Sequence, residues 1–365
     1  MRFSLQKMIS LFERSATPYR PYHVQWLITQ ECNYRCRGCN VWRNKQKIEE
    51  LNTEEVKKGL DILRKLGVIE IVFSGGNPLL RKDIDEIIEY SSKYFLTTIY
   101  DNGSTALEKI NALRTVDFVA ISLDSLNEKK NDYVKGVPGS WKKAMDAIVQ
   151  LNDEGISVGV SPTISQFNID EMIDFTKYFV NLGIPVWYCL YWYDLPKKGQ
   201  LFKIGKKVDE FEIVDRKKFV EVCDSLLEMK KKYEGIFITG RTLEALKHLF
   251  LYEERTWKCR ALQSFFMVDP QGRVAGCHLR KPATSIFELP EVWNSENFHE
   301  LRCTYERCTR CAYLCYIFYS LYSDVWSNME ILLTQQKNIK LIINNLLKAR
   351  SRRYAAPSPV RASQR

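Results

Sequence analysis

From His23 onward the chain alternates short apolar stretches with helical ones, and this alternation limits the fold more than any other feature. Residues 24–29, 69–73, 95–100, 118–123, 156–163 and 184–191 are rich in Val, Ile, Phe and Tyr and read as strands. Between them, residues 53–66, 83–93, 105–113, 141–154 and 169–182 place apolar side chains at helical spacing, with Asn52, Ser140 and Asn168 as candidate N-caps. Strands separated by helices are joined by right-handed crossovers, which gives a parallel sheet. Sites in such folds form at the carboxyl ends of strands, so the loops after the strands carry the candidate chemistry.

The loop after the first strand holds Cys32, Cys36 and Cys39 in the spacing Cys-x3-Cys-x2-Cys. Three thiolates on one loop suit three irons of a cubane and leave the fourth iron open. A structural zinc asks for four closed ligands, and no fourth Cys or His lies nearby in sequence. After the second strand comes Ser74-Gly75-Gly76-Asn77-Pro78, where two glycines allow the backbone to approach a ligand closely. Asp101-Asn102-Gly103 follows the third strand. Ser122-Leu123-Asp124 ends the fourth, with Ser122 and Asp124 on one face. Either group also reads as turn and cap residues. The aromatic sixth strand ends at Asp194, a candidate substrate contact, and carries Cys189, which reads as a buried thiol.

In this order and at these places, the motifs resemble those of the radical S-adenosylmethionine (radical SAM) enzymes. The resemblance implies a partial (β/α)6 barrel of the TIM type. It also implies a [4Fe-4S] cluster on Cys32, Cys36 and Cys39 whose open iron chelates the amino and carboxylate groups of S-adenosylmethionine. An electron from the cluster then releases a 5′-deoxyadenosyl radical, and the protein supplies orientation and exclusion of water. Gly75, Gly76, Asn77 and Pro78 stand where the family has Gly-Gly-Glu-Pro, so an amide replaces the glutamate and accepts an ammonium without charge assistance. Asn102 matches the family's Thr-Asn-Gly, and Ser122 and Asp124 its Ser-x-Asp near the ribose. The position before the third cysteine, usually aromatic and close to the adenine, is Gly38, and Tyr34 or Trp42 is expected to take over that contact.

A second cysteine group lies past a long helix expected over 211–233. Cys259 and Cys277 flank a hairpin over 265–274 whose Asp269-Pro270-Gln271-Gly272 is turn chemistry. Cys303, Cys308, Cys311 and Cys315 follow, and six cysteines so close together are not scattered core thiols. Taken alone, Cys308-x2-Cys311 also reads as half of a zinc knuckle. Cys259-x12-Gly272-x4-Cys277 resembles the opening of the SPASM and twitch auxiliary-cluster domains of radical SAM enzymes. That implies one auxiliary [4Fe-4S] cluster held by Cys259, Cys277 and two of the last four, or two clusters with incomplete ligation. In the related anaerobic sulfatase maturases the residue after the second auxiliary cysteine takes a substrate proton. Here it is His278, the second candidate catalytic residue beside Asp194.

A chain of 365 residues, 45% hydrophobic and 27% charged, has room for one barrel and a smaller appendage. The expected division is an N-terminal helical extension over 1–22, the core barrel over 23–240, a Cys-rich α+β domain over 241–316, a terminal helix over 317–350 and a basic tail over 351–365. No apolar run reaches the roughly eighteen residues of a membrane helix, and an odd count of eleven cysteines, two groups of them in metal-ligand spacing, points to a reducing, oxygen-poor cytoplasm. Of the net charge of +10, the segment 316–365 holds +6, eight Lys or Arg against two Asp or Glu, which reads as a solvated terminus. Nucleic acid is thus not an expected partner. The expected partners are an electron donor such as ferredoxin or flavodoxin and a substrate that is a peptide, a small molecule or a lipid precursor. There is no room for a peptide-leader domain ahead of Cys32. Lipid or cofactor biosynthesis is the alternative within the enzyme class, and a non-catalytic iron–sulfur or zinc module the alternative outside it.

Overall fold

The computed structural model describes residues 20–44, 48–193, 204–309 and 311–323. The expected N-terminal extension, Asp194, and the terminal helix and tail beyond residue 323 lie outside these residues. Strands β1 (His23–Thr29), β2 (Glu70–Gly75), β3 (Leu96–Asp101), β4 (Phe118–Ile121) and β5 (Val158–Val160) lie side by side in chain order, every pair parallel. Two further strands, β6 (Thr163–Ile164) and β7 (Cys189–Leu190), pair with each other. The architecture is mixed α/β, a partial TIM-type barrel.

Helices α1 (Thr53–Leu66), α2 (Ile84–Tyr94), α3 (Glu128–Lys135), α4 (Ser140–Asp153) and α5 (Met172–Asn181) occupy the crossovers. Val56, Leu60 and Leu63 of α1, and Ala144, Ala147, Ile148 and Leu151 of α4, show why these segments are helical: each set falls on one buried stripe. Asn52 caps α1 in a reciprocal bond with Glu55. The other two expected caps do other work: the Ser140 hydroxyl bonds Asp132 at 2.7 Å, and the Asn168 amide accepts from the Ser165 N–H at 2.8 Å. Trp26 and Phe73 are fully buried between sheet and helices, and a burial of the Phe73 kind is worth roughly 1.5–3 kcal/mol.

Three differences from the sequence expectation matter for the site. The fifth and sixth strands are broken, because Pro162 and Pro185 have no N–H for the ladder. The Pro185 carbonyl still accepts from Val160 at 2.9 Å, and Val186 bridges Val160 and Ile236. Helix α3 was not expected; it is short and largely polar, with Asn127 as its cap. Finally, the cysteine-rich region shares the barrel's sheet: β8 (Phe265–Val268) pairs parallel with β1, and β9 (Arg273–Ala275) and β10 (Thr284–Ser285) continue antiparallel, in the order β10-β9-β8-β1-β2-β3-β4-β5.

The expected long helix begins later, as α6 (Arg216–Lys232), and packs on α7 (Gly240–Tyr252); α8 (Glu296–Glu306) and α9 (Leu314–Leu321) follow. Helix α9 is tied to the start of β1 and β2. The Tyr319 ring stacks on His23 at 3.6 Å and its hydroxyl donates to Glu70, which His23 also meets, both at 2.7 Å.

Candidate functional site

The loop carrying Cys32, Cys36 and Cys39 is gripped from three sides. Toward β2, Gly76 donates to the Thr29 carbonyl at 2.8 Å and Asn77 to the Glu31 carbonyl at 2.7 Å. A Cβ on Gly75, at φ +130°, would stand 2.3 Å from the Thr29 carbonyl oxygen, and one on Gly76 would stand 1.9 Å from that of Glu31. The glycines are therefore required first by the approach of the cysteine loop, not by a ligand. On the second side the end of α3 docks: Arg35 and Arg37 donate backbone N–H groups to the carbonyls of Lys135 and Val134 at 3.2 and 2.9 Å. Gly136 closes that helix at φ +66°, where a Cβ would meet the Arg35 carbonyl at 2.4 Å. From the third side residues 204–211 cross over the loop, with Lys206 donating to Gly38 at 2.9 Å and Asn40 to Ile204 at 2.7 Å.

Gly38 explains the missing aromatic. A Cβ there would meet the ring of Tyr191 at 2.9 Å and that of Phe211 at 3.3 Å, so two aromatics from elsewhere fill the space beside the third cysteine. The Trp42 indole N–H holds the Cys36 carbonyl at 2.9 Å, and Tyr34 is buried with its hydroxyl unpartnered among the described residues. Burial raises the Tyr34 hydroxyl well above its ordinary pKa, with the Asp101 charge adding to it.

Asn77 is 1% exposed, and its amide nitrogen lies 3.3 Å from Asn102 Oδ1, 3.4 Å from Ser104 Oγ and 3.3 Å from Thr105 Oγ1. Asn102 in turn donates to Asn33 in the cysteine loop at 2.9 Å. The Asn77 side-chain oxygen, Oδ1, is buried with no partner among the described residues, an acceptor suited to an ammonium. Pro78 opens the short turn that follows.

Beside this network, Asp101 accepts from the Gly103 N–H at 2.6 Å, and burial pushes its carboxyl up to about 6. Between its ordinary 3.8 and about 6, the folded chain keeps a proton that the unfolded chain has released. Stability therefore falls as pH rises through that window, and the loss is complete above it. Asp101→Asn, neutral throughout, should stabilise the iron-free protein at pH 7.5 by on the order of 2 kcal/mol. The gain should vanish below pH 4, as thermal unfolding at both pH values will show.

The residue the sequence reading missed is Lys135. It is buried, pairs with Asp124 Oδ2 at 2.8 Å, and bonds Ser122 Oγ at 2.5 Å. Desolvation works against its charge, but the Asp124 carboxylate, with Cys36 close by, more than offsets this and raises its pKa. Asp124 is fully engaged, since its other oxygen accepts from the Thr163 N–H at 2.8 Å. It braces β4 against β6 rather than presenting a free carboxylate. A cap at Asn127 and a glycine at 136 were the available sequence signals for a helix ending in this lysine.

Burial raises the three loop thiols, Cys36 to about 12 and Cys39 to about 11, with a smaller rise at Cys32. Among the described residues no three Cys, His, Asp or Glu side chains close on a single ion. A cubane is larger, and its thiolates ride on separate irons. The all-thiol donor set, the orphaned Asn77 oxygen and the buried Lys135 cation fit a cluster with an amino-acid cosubstrate.

In the second group, Cys259, Cys277 and Cys311 are buried, and Cys303, Cys308 and Cys315 are half-buried. Cys277 feels the charges of Cys311, Cys259 and Cys308, and Cys311 those of Cys259 and Cys308. Burial is the largest cause of the rise at Cys259, Cys277 and Cys311, which stands at about 12. Cys303 instead sits on α8 with its sulfur 4.0 Å from His299 Nε2. Cys315 opens α9 and is influenced first by burial and then by Cys189, with Cys311 next.

His278 follows Cys277 but is buried, with Nδ1 2.7 Å from the Tyr316 hydroxyl and its ring edge-on to Tyr313 at 4.5 Å. Burial pushes the imidazole down to about 3, and its Nε2 is buried with no partner among the described residues.

Residues 26–179 match the radical SAM superfamily, and residues 259–312 match the iron–sulfur cluster-binding SPASM domain. The chain belongs to the radical SAM superfamily and is a radical SAM enzyme with a C-terminal SPASM domain. It is 25% identical over 319 residues to an AdoMet-dependent heme synthase of Oleidesulfovibrio alaskensis, covering 80% of each chain. It is also 25% identical over 291 residues to the subtilosin biosynthesis protein AlbA of Bacillus subtilis, covering 77% of this chain and 61% of that one. The fold is shared with Streptococcus suis SuiB, at a TM-score of 0.61 and 15% identity over 81% of this chain and 71% of the other. Its cofactors are therefore a [4Fe-4S] cluster with S-adenosylmethionine and auxiliary iron–sulfur chemistry. No helix among the described residues is long and apolar enough to cross a membrane.

Proposed function

We propose that Cys32, Cys36 and Cys39 hold the radical cluster, that Asn77 Oδ1 receives the ammonium of S-adenosylmethionine, and that Lys135 neutralises its carboxylate. The observation that carries this is that an orphaned buried acceptor, Asn77 Oδ1, and a buried cation held by Ser122 and Asp124 belong to residues whose backbones both bond the cysteine loop. When bound, the cluster and S-adenosylmethionine supply a 5′-deoxyadenosyl radical. The residues do the rest: α3 and the Gly75–Gly76 turn fix the loop, the Asn33–Asn77–Asn102 network orients the acceptor, and Tyr191 and Phe211 cover Gly38 against water.

The reaction class is abstraction of a carbon-bound hydrogen followed by oxidation or bond formation, with one auxiliary cluster on Cys259, Cys277, Cys308 and Cys311. The substrate is a peptide side chain, as the name of AlbA suggests for that relative, or a small-molecule precursor, as the heme synthases suggest. A neighbouring gene for a short peptide, or for a biosynthetic pathway, separates the two. The electron donor is a ferredoxin or flavodoxin, and the compartment is the cytoplasm.

Lys135→Met tests the cosubstrate site. It removes one partner of a buried pair, so a stability loss of about 3–5 kcal/mol is expected. Affinity for S-adenosylmethionine should weaken by at least about tenfold with the loss of a charge-assisted contact. Adding Asp124→Asn should recover stability without affinity, as thermal unfolding and equilibrium binding will report. Native affinity in the double variant would remove Lys135 from the site.

A further inference from the structure

His299 and Cys303 carry metal-ligating side chains that neither cysteine site uses. They are four residues apart on α8, one turn from each other on the same face, with Nε2 and Sγ 4.0 Å apart. Phe298, Arg302 and Tyr305 form the buried face of that helix, and the Arg302 guanidinium holds the Leu262 and Trp293 carbonyls at 2.8 and 2.5 Å. The opposite face meets solvent: Cys303 is half-buried, and His299, Glu296 and Glu300 are exposed. Glu296, His299, Glu300 and Cys303 recur at i, i+3, i+4 and i+7, with Arg307 one turn further on. Two carboxylates against one guanidinium give this stripe a charge that favours a cation.

An imidazole and a thiolate are the donors of a borderline divalent cation such as zinc. Around a tetrahedral zinc, with bonds of about 2.3 Å to sulfur and about 2.1 Å to nitrogen, the two donors stand about 3.6 Å apart. The pair on α8 therefore closes on the ion by a small side-chain rotation that leaves the helix in place. We propose that His299 and Cys303 form a third metal site, an open chelate for zinc or a similar divalent cation on the outer face of α8. No third Cys, His, Asp or Glu closes on the pair among the described residues, so water fills the remaining positions. Binding releases the thiol proton to solvent. The ion ties together two turns of the helix that holds the Leu262 and Trp293 carbonyls and ends just before Cys308, and so stabilises α8 in the folded chain. The inference rests on the reading that leaves Cys303 outside the auxiliary cluster.

The test is anaerobic equilibrium dialysis of the full chain, its clusters already reconstituted, against zinc, followed by zinc and iron analysis and zinc-edge X-ray absorption. The expected result is about one zinc gained per chain with no iron lost, and one sulfur among the nearest neighbours of the zinc. Affinity should fall by at least about tenfold in Cys303→Ser and in His299→Ala. Both side chains lie on the solvent face, so thermal unfolding of the zinc-free variants should match the native chain and separate lost binding from lost fold. Native zinc affinity in Cys303→Ser, a zinc shell without sulfur, or zinc taken up only as iron is released overturns the site. Iron lost from the zinc-free Cys303→Ser protein fails the underlying reading instead, and the site with it.

Discussion

Replacement of Cys36 by alanine abolishes formation of 5′-deoxyadenosine and removes about four of about eight irons from the anaerobically reconstituted protein. The expectation is this large because the loop is held by its backbone, not by its thiols. The Cys36 carbonyl stays bonded to Trp42, and Arg35, Arg37, Gly38 and Asn40 keep their partners on α3 and the crossing segment 204–211. Alanine thus removes a ligand and leaves the site standing. Cys223, buried on α6, is the control: Cys223→Ala should keep all iron and lose only packing, about 1 kcal/mol. Anaerobic iron and sulfide assays with product chromatography check both. Zinc in place of iron, or product formation surviving the substitution, would return the reading of a non-catalytic metal-binding module.

How far the sequence led depends on the range of the forces involved. Strands β1 to β4 and helices α1, α2 and α4 were legible because each carries its own periodic apolar pattern, which a buried face demands whatever the partner. The cysteine triplet was legible for a similar reason: its ligands lie on one loop. The paired glycines were found, but not their approach to the Thr29 and Glu31 carbonyls, a contact made across two strands. Lys135 was missed because its meaning comes from Ser122 and Asp124, some ten residues earlier and brought near only by the β4–α3 turn. The run 184–191 looked like a strand, yet Pro185 and Pro162 stop the ladder, and only Cys189 and Leu190 keep regular pairing.

The second cysteine group marks the same limit and gives the other large prediction. Spacing could not choose among Cys303, Cys308, Cys311 and Cys315, because the choice depends on where α8 ends and α9 begins. Cys303 lies within α8, whose last residue is Glu306, so its thiol is fixed to the helix beside His299. Cys308 and Cys311 lie between the two helices, which is why they are the partners proposed for Cys259 and Cys277. Cys315 is already inside α9 and looks back toward Cys189. In a chain lacking the radical-cluster cysteines, Cys308→Ala and Cys311→Ala should therefore each lose most of the remaining irons, about four, with the visible absorbance of the cluster. Cys303→Ala and Cys315→Ala should keep them. Were Cys303→Ala to lose its iron instead, α8 would have to unwind by a turn in the loaded protein to bring that sulfur round. The assignment of one closed cluster would then give way to a ligand set that forms only as the metal binds.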